Sequence, residues 1–540
     1  MNSADVIAER LYEAGVRFAF GIPGGEVLAF IDALERAGIR FVIARHENAA
    51  GFMAEGAYRA SGAPAVLVAT IGPGFANTVN VMANAEQDRV PLLVVSGKVA
   101  EAEALRFTHQ VFDHAAVARP LVKATFEARE NACDVMIEKA LSLALSPRPG
   151  PVHIDLPIPV ATADHRPPRI QRAAFPAAMA PAVGAALEKA QATVRAARRP
   201  LLVVGHDVLQ QPGGAQRIAD CAAAHRVPVV TTYRAKGVLS ETDDLALGGH
   251  GLSPKSDAIV LPLVADADLI LSAGYDPIEM RAGWTDPWDP AKVIEFVSAP
   301  NTHFVHGAAL EFIGDAAASL DAVLGGESVT VDPAWAKRCR QARDDLAMAF
   351  APPASGSTSD WGPAAALHVL NAHRAPDTVT TVDSGAHRIL MSQLWTATAP
   401  NTLLQSTGLC TMGCALPLAI GHKLAAPTQP VMAVMGDGCL DMIMGELATL
   451  RDCRLPVTVV VLVDGSYALI ELKQRNMGLQ EAGVMFGRTD YAGVAEAVGL
   501  EGVTVRDAAA LEAALKQAQS CDRSTVIAVE IGDRAYDGLI

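Results

Sequence analysis

The sequence predicts an α/β protein of three consecutive domains, each built on a doubly wound parallel sheet. Short apolar runs alternate with helical patterns along the whole chain, as expected of βαβ units. Two proline- and alanine-rich stretches, 161–182 (ATADHRPPRIQRAAFPAAMAPA) and 351–358 (APPASGST), read as exposed linkers. They divide 540 residues into thirds of ordinary domain size. The expected domains are therefore 1–165, 183–330 and 359–540.

The chain begins with MNSADVIAERLYEAG, an amphipathic helix with early acids that lacks the apolar core of a signal peptide. Strands are predicted in the first third at 18–20, 41–44, 65–70, 92–96 and 152–155. In the middle third they fall at 201–204, 227–231, 269–273 and 293–296. In the last third they fall at 379–383, 431–435, 457–463 and 526–530. No short-period repeat is visible. The basic cluster Arg195 to Arg199 (RAARR) reads as a solvated helix face.

Composition narrows the function. Hydrophobic residues make up 51% and charged residues 19%, which describes a packed globular enzyme rather than a disordered scaffold. Lys plus Arg number 44 against 59 for Asp plus Glu, a net charge of −15, so no basic stripe awaits nucleic acid. No uninterrupted apolar run reaches the ~18 residues of a membrane span. The eight cysteines form no CxxC pair, and the spacing of Cys410 and Cys414 lacks the partners of a zinc site. They are expected to be reduced, in a cytoplasmic protein.

The segment 436–474 (GDGCLDMIMGELATLRDCRLPVTVVVLVDGSYALIELKQ) carries the strongest chemical signal. Gly436-Asp437-Gly438 follows one predicted buried strand, and Asp464-Gly465-Ser466 follows the next. Both acids thus fall at the carboxyl edge of a parallel sheet, where ligands bind. Glycine lets backbone close on a phosphate, and a helix start offers unpaired N–H donors. Two hard oxygen ligands beside that anion suit Mg²⁺, which binds through one or two carboxylates and substrate phosphates.

A second constellation lies in the first third. Arg45-His46-Glu47 follows the strand at 41–44, and a helix begins at once with Ala49, Ala50, Met53 and Ala54 on its packed side. Glu47 is then a partly desolvated carboxylate or an acid stabilising the helix dipole. Two glycine loops, Gly21-Ile22-Pro23-Gly24-Gly25 and Ile71-Gly72-Pro73-Gly74, share its sheet edge.

Taken together, GIPGGEVLAFIDAL, RHENAAGFMAEGAYRASG, ATIGPGFANTVNVMANAEQDRVPLLVVSG and GDGCLDMIMGELATLRDCRLPVTVVVLVDG resemble thiamine-diphosphate enzymes of the acetolactate synthase family. The resemblance covers nearly the whole chain. It implies a pyrimidine-binding domain, a central domain and a diphosphate-binding domain, with the cofactor between two subunits of a homodimer or homotetramer. It also implies that Glu47 hydrogen-bonds the aminopyrimidine ring and that its proton promotes the imino tautomer that deprotonates the thiazolium. Asp437, Asp464 and the Ser466 carbonyl would ligate Mg²⁺, and Gly438 and Cys439 would offer N–H groups to the diphosphate. Gly385 and His387, in VDSGAHRIL, resemble further diphosphate contacts. Met412 resembles the apolar prop under the bent cofactor. Pro23, Gly24, Gly72, Pro73, Asn77, Gly408, Gly436, Tyr467, Ala468 and Leu469 complete the expected cofactor site.

Val463-Asp464 stands where many family members have Asn-Asn, an exchange that keeps a hard metal ligand. VDGSYALIELKQ, THQVFDHAAVARPLVK (108–123) and GYDPIE (274–279) resemble the catabolic acetolactate synthases, so FAD is not expected. Glu471-Leu472-Lys473-Gln474 replaces the tryptophan-bearing segment of anabolic members, which argues against a pocket preferring 2-oxobutyrate. Gln110, Leu469 and Glu471 are candidate substrate contacts. Lys473 either pairs with a substrate carboxylate or lies solvated on its helix. Arg281 falls near an acceptor-binding arginine of anabolic relatives, though a surface ion pair suits it better.

The expected activity is decarboxylation of pyruvate and transfer of the two-carbon unit to a second 2-oxo acid. A 2-oxo acid decarboxylase or another acyltransferase is the alternative within the fold, and a non-catalytic cofactor-binding regulator is the alternative outside it. The middle third's LLVVGHDV carries no GxGxxG fingerprint for a dinucleotide.

Overall fold

The computed structural model describes residues 1–166, 178–276, 282–325, 329–351 and 361–540. Arg281, part of GYDPIE, half of the first linker and most of the second lie outside the described residues. Three six-stranded sheets follow one another along the chain, and neighbouring strands within each are parallel.

The first sheet contains β1 (Phe18–Gly21), β2 (Arg40–Ile43), β3 (Ala65–Ala69), β4 (Leu92–Lys98), β5 (Ala124–Glu127) and β6 (Val152–Pro157). The second contains β7 (Pro200–Val204), β8 (Val229–Thr232), β9 (Ala246–His250), β10 (Leu269–Ala273), β11 (Val293–Val297) and β12 (Leu310–Ile313). The third contains β13 (Val379–Val382), β14 (Leu403–Gln405), β15 (Val431–Gly436), β16 (Thr458–Val463), β17 (Glu501–Val505) and β18 (Thr525–Glu530). The orders are β2-β1-β3-β4-β6-β5, β12-β11-β10-β7-β8-β9 and β14-β13-β15-β16-β18-β17. The first and third sheets therefore share one winding, a likeness of topology without any visible sequence repeat. Each reverses direction between its first and third strands, the crevice that binds ligands in such folds.

The central strands match the sequence expectation, whereas β5, β9, β12, β14 and β17 were not foreseen. All five are edge strands. A central strand such as β7 is buried at every position, so it reads as an unbroken apolar run. The edge strand β17 (EGVTV) is mostly half-buried and carries polar residues and glycine. One further expectation needs correction. Arg195 lies in the last turn of the helix Ala185–Ala196, but Arg198 and Arg199 lie beyond it, where their backbone N–H groups donate to Asp268. No helix among the described residues is long and apolar enough to cross a membrane.

One apolar core joins the first and third sheets, with Phe52 and Met53 on one side and Leu416, Leu418 and Ile420 on the other. The helices Glu47–Ser61 and Ala415–Ala425 cross there at backbone contact. A β-carbon on Gly421 would stand 1.8 Å from the Met53 carbonyl oxygen, and one on Gly56 would stand 2.1 Å from that of Leu418. Gly421→Ala is therefore expected to cost at least about 1–3 kcal/mol through overpacking. It should lower the thermal unfolding midpoint, while Gly487→Ala, where nothing lies within 4 Å, should leave it unchanged.

Candidate functional site

The carboxyl ends of β13, β15 and β16 open onto one cavity of about 510 Å³. The junction of β15 with the helix Asp437–Ile443 brings in Gly436, Asp437, Gly438 and Cys439; the segment after β16 brings in Asp464, Ser466, Tyr467, Ala468 and Leu469. Gly385, His387, Met412 and Lys473 also line it. Residues from three separate turns and the loop before the helix Ala415–Ala425 are thus gathered by strand order alone.

The two acids are fixed before any ligand arrives. Asp437 begins the helix Asp437–Ile443 and is buried. Its Oδ2 accepts N–H bonds from Asp464 (3.0 Å) and Gly465 (2.7 Å), and its Oδ1 accepts one from Gly438 (2.8 Å). Asp464 Oδ1 accepts from the Ser466 amide at 2.9 Å and hydroxyl at 3.1 Å. Burial, and then the charge of Asp437, push the Asp464 carboxyl up to about 7. Gly465 adopts φ +75°, the left-handed geometry that lets this turn fold back.

Two buried polar atoms beside the acids have no partner: His387 Nε2 and Ser384 Oγ. Burial, with the Arg388 guanidinium adding to it, lowers His387 to about 4, so the ring is neutral at pH 7. A β-carbon on Gly438 would stand 2.6 Å from the Tyr467 ring, so the glycine keeps the backbone open at this corner.

The first-domain residues assemble separately, at the corresponding edge of the first sheet. Glu47 starts its helix, is 6% exposed, and accepts a hydrogen bond from Asn77 Nδ2 at 3.0 Å. Gly24 and Gly74 both crowd the Thr70 side chain, and Gly74 faces Glu47. Gly72, with φ +68°, lies against Gln110, which is itself left-handed at φ +60°. The Gly72 amide points at His114 Nε2 (3.5 Å), and His114 Nδ1 lies 2.9 Å from Asp155. Burial raises the Asp155 carboxyl, yet hydrogen bonds from His114 and His153 hold it well below the usual range.

Neither Glu47 nor its neighbours line the 510 Å³ cavity of the same chain. What connects the groups is backbone support. Glu446, buried in the third domain, accepts N–H bonds from Arg45 (2.9 Å) and His46 (3.1 Å), immediately before Glu47. Gly408 packs on Gln87, and Asp88 accepts from the amides of Thr407 (3.2 Å) and Gly408 (2.9 Å). Glu471 points elsewhere: it lines a neighbouring cavity and is paired with Arg475 (2.6 Å) and Arg534 (3.2 Å).

Sequence reading missed Arg388, Cys410 and Tyr536, all of which line the cavity, and Glu446 beneath Glu47. Arg388 lay in plain view in VDSGAHRIL, one residue past His387. Tyr536 comes from the end of the chain, and no local pattern marks it.

Comparison with known proteins gives consistent matches along the chain. Residues 1–117 match the N-terminal TPP binding domain of the thiamine pyrophosphate enzymes, 187–323 their central domain and 383–529 their C-terminal TPP binding domain. An acetolactate synthase of Bacillus subtilis (strain 168) is 29% identical over 539 residues, covering 98% of this chain and 93% of its own. The acetolactate synthase isozyme 1 large subunit of Escherichia coli (strain K12) is 30% identical over 527 residues, covering 96% and 91%. The mitochondrial acetolactate synthase catalytic subunit of Saccharomyces cerevisiae is 28% identical over 566 residues, covering 98% and 81%.

Proposed function

Since this chain belongs to the thiamine pyrophosphate enzyme family, with acetolactate synthases as relatives over nearly its full length, we propose that it is a thiamine-diphosphate- and Mg²⁺-dependent carboligase. It decarboxylates pyruvate and joins the two-carbon unit to a second 2-oxo acid. The observation that carries the reading is the pair of crowded carboxylates, Asp437 and Asp464, in one cavity with helix-start amides.

The residues fit the cofactor. A buried acid raised to about 7 by burial and a second carboxylate is relieved by a divalent cation, and its oxygen donors suit Mg²⁺. The partnerless His387 Nε2 and Ser384 Oγ are available to a polar ligand. Asp437, Asp464 and the Ser466 carbonyl would hold the metal. The Gly438 and Cys439 amides, with Gly385 and His387, would hold the diphosphate at a helix N-terminus. Bound there, thiamine diphosphate supplies the electron sink for cleavage of the bond to the departing carboxylate.

The chain's own residues do the rest. Glu47 holds a proton against the aminopyrimidine ring, and Asn77 fixes the carboxyl by donating to Oε2. Met412 supports the ring system from the cavity side. Pro23, Gly24, Gly72 and Pro73 shape the pyrimidine end, while Gly408 anchors the loop leading to Met412. We assign the pyrimidine-binding role to residues 1–165, the central domain to 183–330 and the diphosphate-binding role to 359–540. Because Glu47 does not line the cavity of its own chain, it serves the cavity of a second subunit; the working unit is a homodimer or homotetramer. Gln110, Leu469 and Lys473 are the candidate substrate contacts, while Glu471 is held by Arg475 and Arg534 in the neighbouring cavity.

FAD is not part of this reading. A cytoplasmic location is supported by eight free cysteines. With pyruvate, thiamine diphosphate and Mg²⁺, acetolactate should accumulate and the purified protein should be colourless. Acetaldehyde as the main product would make the protein a decarboxylase, and a bound flavin spectrum would overturn the FAD-independent assignment.

A further inference from the structure

Arg388 is a buried cation without an anion. It sits in the first turn of the helix Ala386–Leu394, is 3% exposed and lines the 510 Å³ cavity. Its Nη1 donates to the Ser406 carbonyl at 2.5 Å and its Nη2 to Cys410 Sγ at 3.1 Å, while Nε has no partner. No carboxylate among the described residues pairs with it. A guanidinium carries five donors and keeps its charge at any physiological pH. Burying that charge uncompensated is unfavourable, so such a group is ordinarily paired in the working state.

Two anions would enter this cavity under the proposed function: the diphosphate and a substrate carboxylate. His387 faces the diphosphate corner, since its ring lies 3.7 Å from where a Gly436 β-carbon would stand. The next helix position turns by about 100°. Arg388 accordingly reaches the 406–410 loop, which continues directly to Met412. In the proposed site Met412 supports the reacting ring, so the guanidinium lies toward the reacting end.

The donor and acceptor 2-oxo acids make opposite demands on such a cation. A donor carboxylate loses its charge as CO₂ departs, and a strong ion pair with it would stabilise the ground state against reaction. An acceptor carboxylate keeps its charge from binding to product release. We propose that Arg388 receives the carboxylate of the acceptor 2-oxo acid, through a charge-assisted hydrogen bond of the kind guanidinium makes with carboxylate. Arg388 is then a specificity residue for carboligation over simple decarboxylation. The inference rests on the carboligase reading.

The test uses the enzyme loaded with thiamine diphosphate and Mg²⁺, as wild type, Arg388→Gln and Arg388→Lys. Arg388→Gln should form about tenfold less acetolactate per CO₂ released, with acetaldehyde making up the balance. Arg388→Lys, which keeps the charge, should recover part of the acetolactate. An unchanged product ratio in Arg388→Gln would overturn the proposal. So would weakened cofactor affinity by calorimetry with an unchanged ratio, because the anion would then be the diphosphate. If wild type releases no CO₂ from pyruvate, the carboligase reading itself fails. Saturation-transfer NMR with pyruvate and the magnesium-free protein then decides separately. A signal lost in Arg388→Gln supports a carboxylate site at Arg388, and equal signals in both proteins refute it.

Discussion

Glu47→Gln will fold and bind thiamine diphosphate as wild type does, yet release CO₂ from pyruvate about 10²–10⁴-fold more slowly, the usual contribution of a positioned acid–base group. The substitution is well matched to the site. Glutamine has the same length, and its carbonyl oxygen can still accept from Asn77 Nδ2, which lies 3.0 Å from the Glu47 carboxylate. The Arg45 and His46 amides remain held by Glu446, so the backbone at the helix start keeps its place. What disappears is the exchangeable proton. Steady-state CO₂ release alongside calorimetric cofactor affinity separates the two effects. Turnover near the wild-type rate would remove Glu47 from the mechanism.

Asp464→Ala will raise the Mg²⁺ concentration needed for cofactor binding by roughly 100-fold, the scale expected when one charged ligand interaction of about 2–3 kcal/mol is lost. The effect on the metal-free protein runs the other way. Asp464 has a folded value of about 7, raised by burial and by Asp437, against about 3.9 for an unfolded aspartate. The folded chain therefore binds the proton more tightly than the unfolded chain between those values. Stability of the metal-free wild type should fall as pH rises from about 4 to 7 and level off above. Asp464→Asn should flatten that decline, and saturating Mg²⁺ should reverse it in wild type by favouring the ionised pair. Thermal unfolding across pH, with and without Mg²⁺, measures each part. Identical pH profiles for wild type and Asp464→Asn would contradict the crowded-acid account.

Much of this architecture was legible because a central parallel strand is buried on both faces. Val431 to Met435 and Val459 to Val463 could not avoid reading as strands, and the turns after them could not avoid the sheet edge. Asp437 and Asp464 were found for that reason. The edge strands hid because one flank lacks a partner and tolerates polar residues or glycine, as in β9 (ALGGH) and β14 (LLQ). The site's remaining gaps have a different cause. Glu446 acts on Arg45 and His46 from about 400 positions away, and Tyr536 reaches the cavity from the chain's last turn. Neither contact leaves a local pattern. Arg388 was overlooked because an arginine on a helix reads as a solvated charge until its burial and missing counter-ion are known.

In the proposed site thiamine diphosphate is held through its tail by a metal at Asp437 and Asp464. Calorimetric titration of the protein with thiamine diphosphate, at saturating Mg²⁺ and again after chelation, tests it most directly. One molecule bound per chain, with binding lost on chelation and weakened in Asp464→Ala, is the predicted result. No heat of binding at saturating Mg²⁺, or affinity indifferent to the metal, would contradict it.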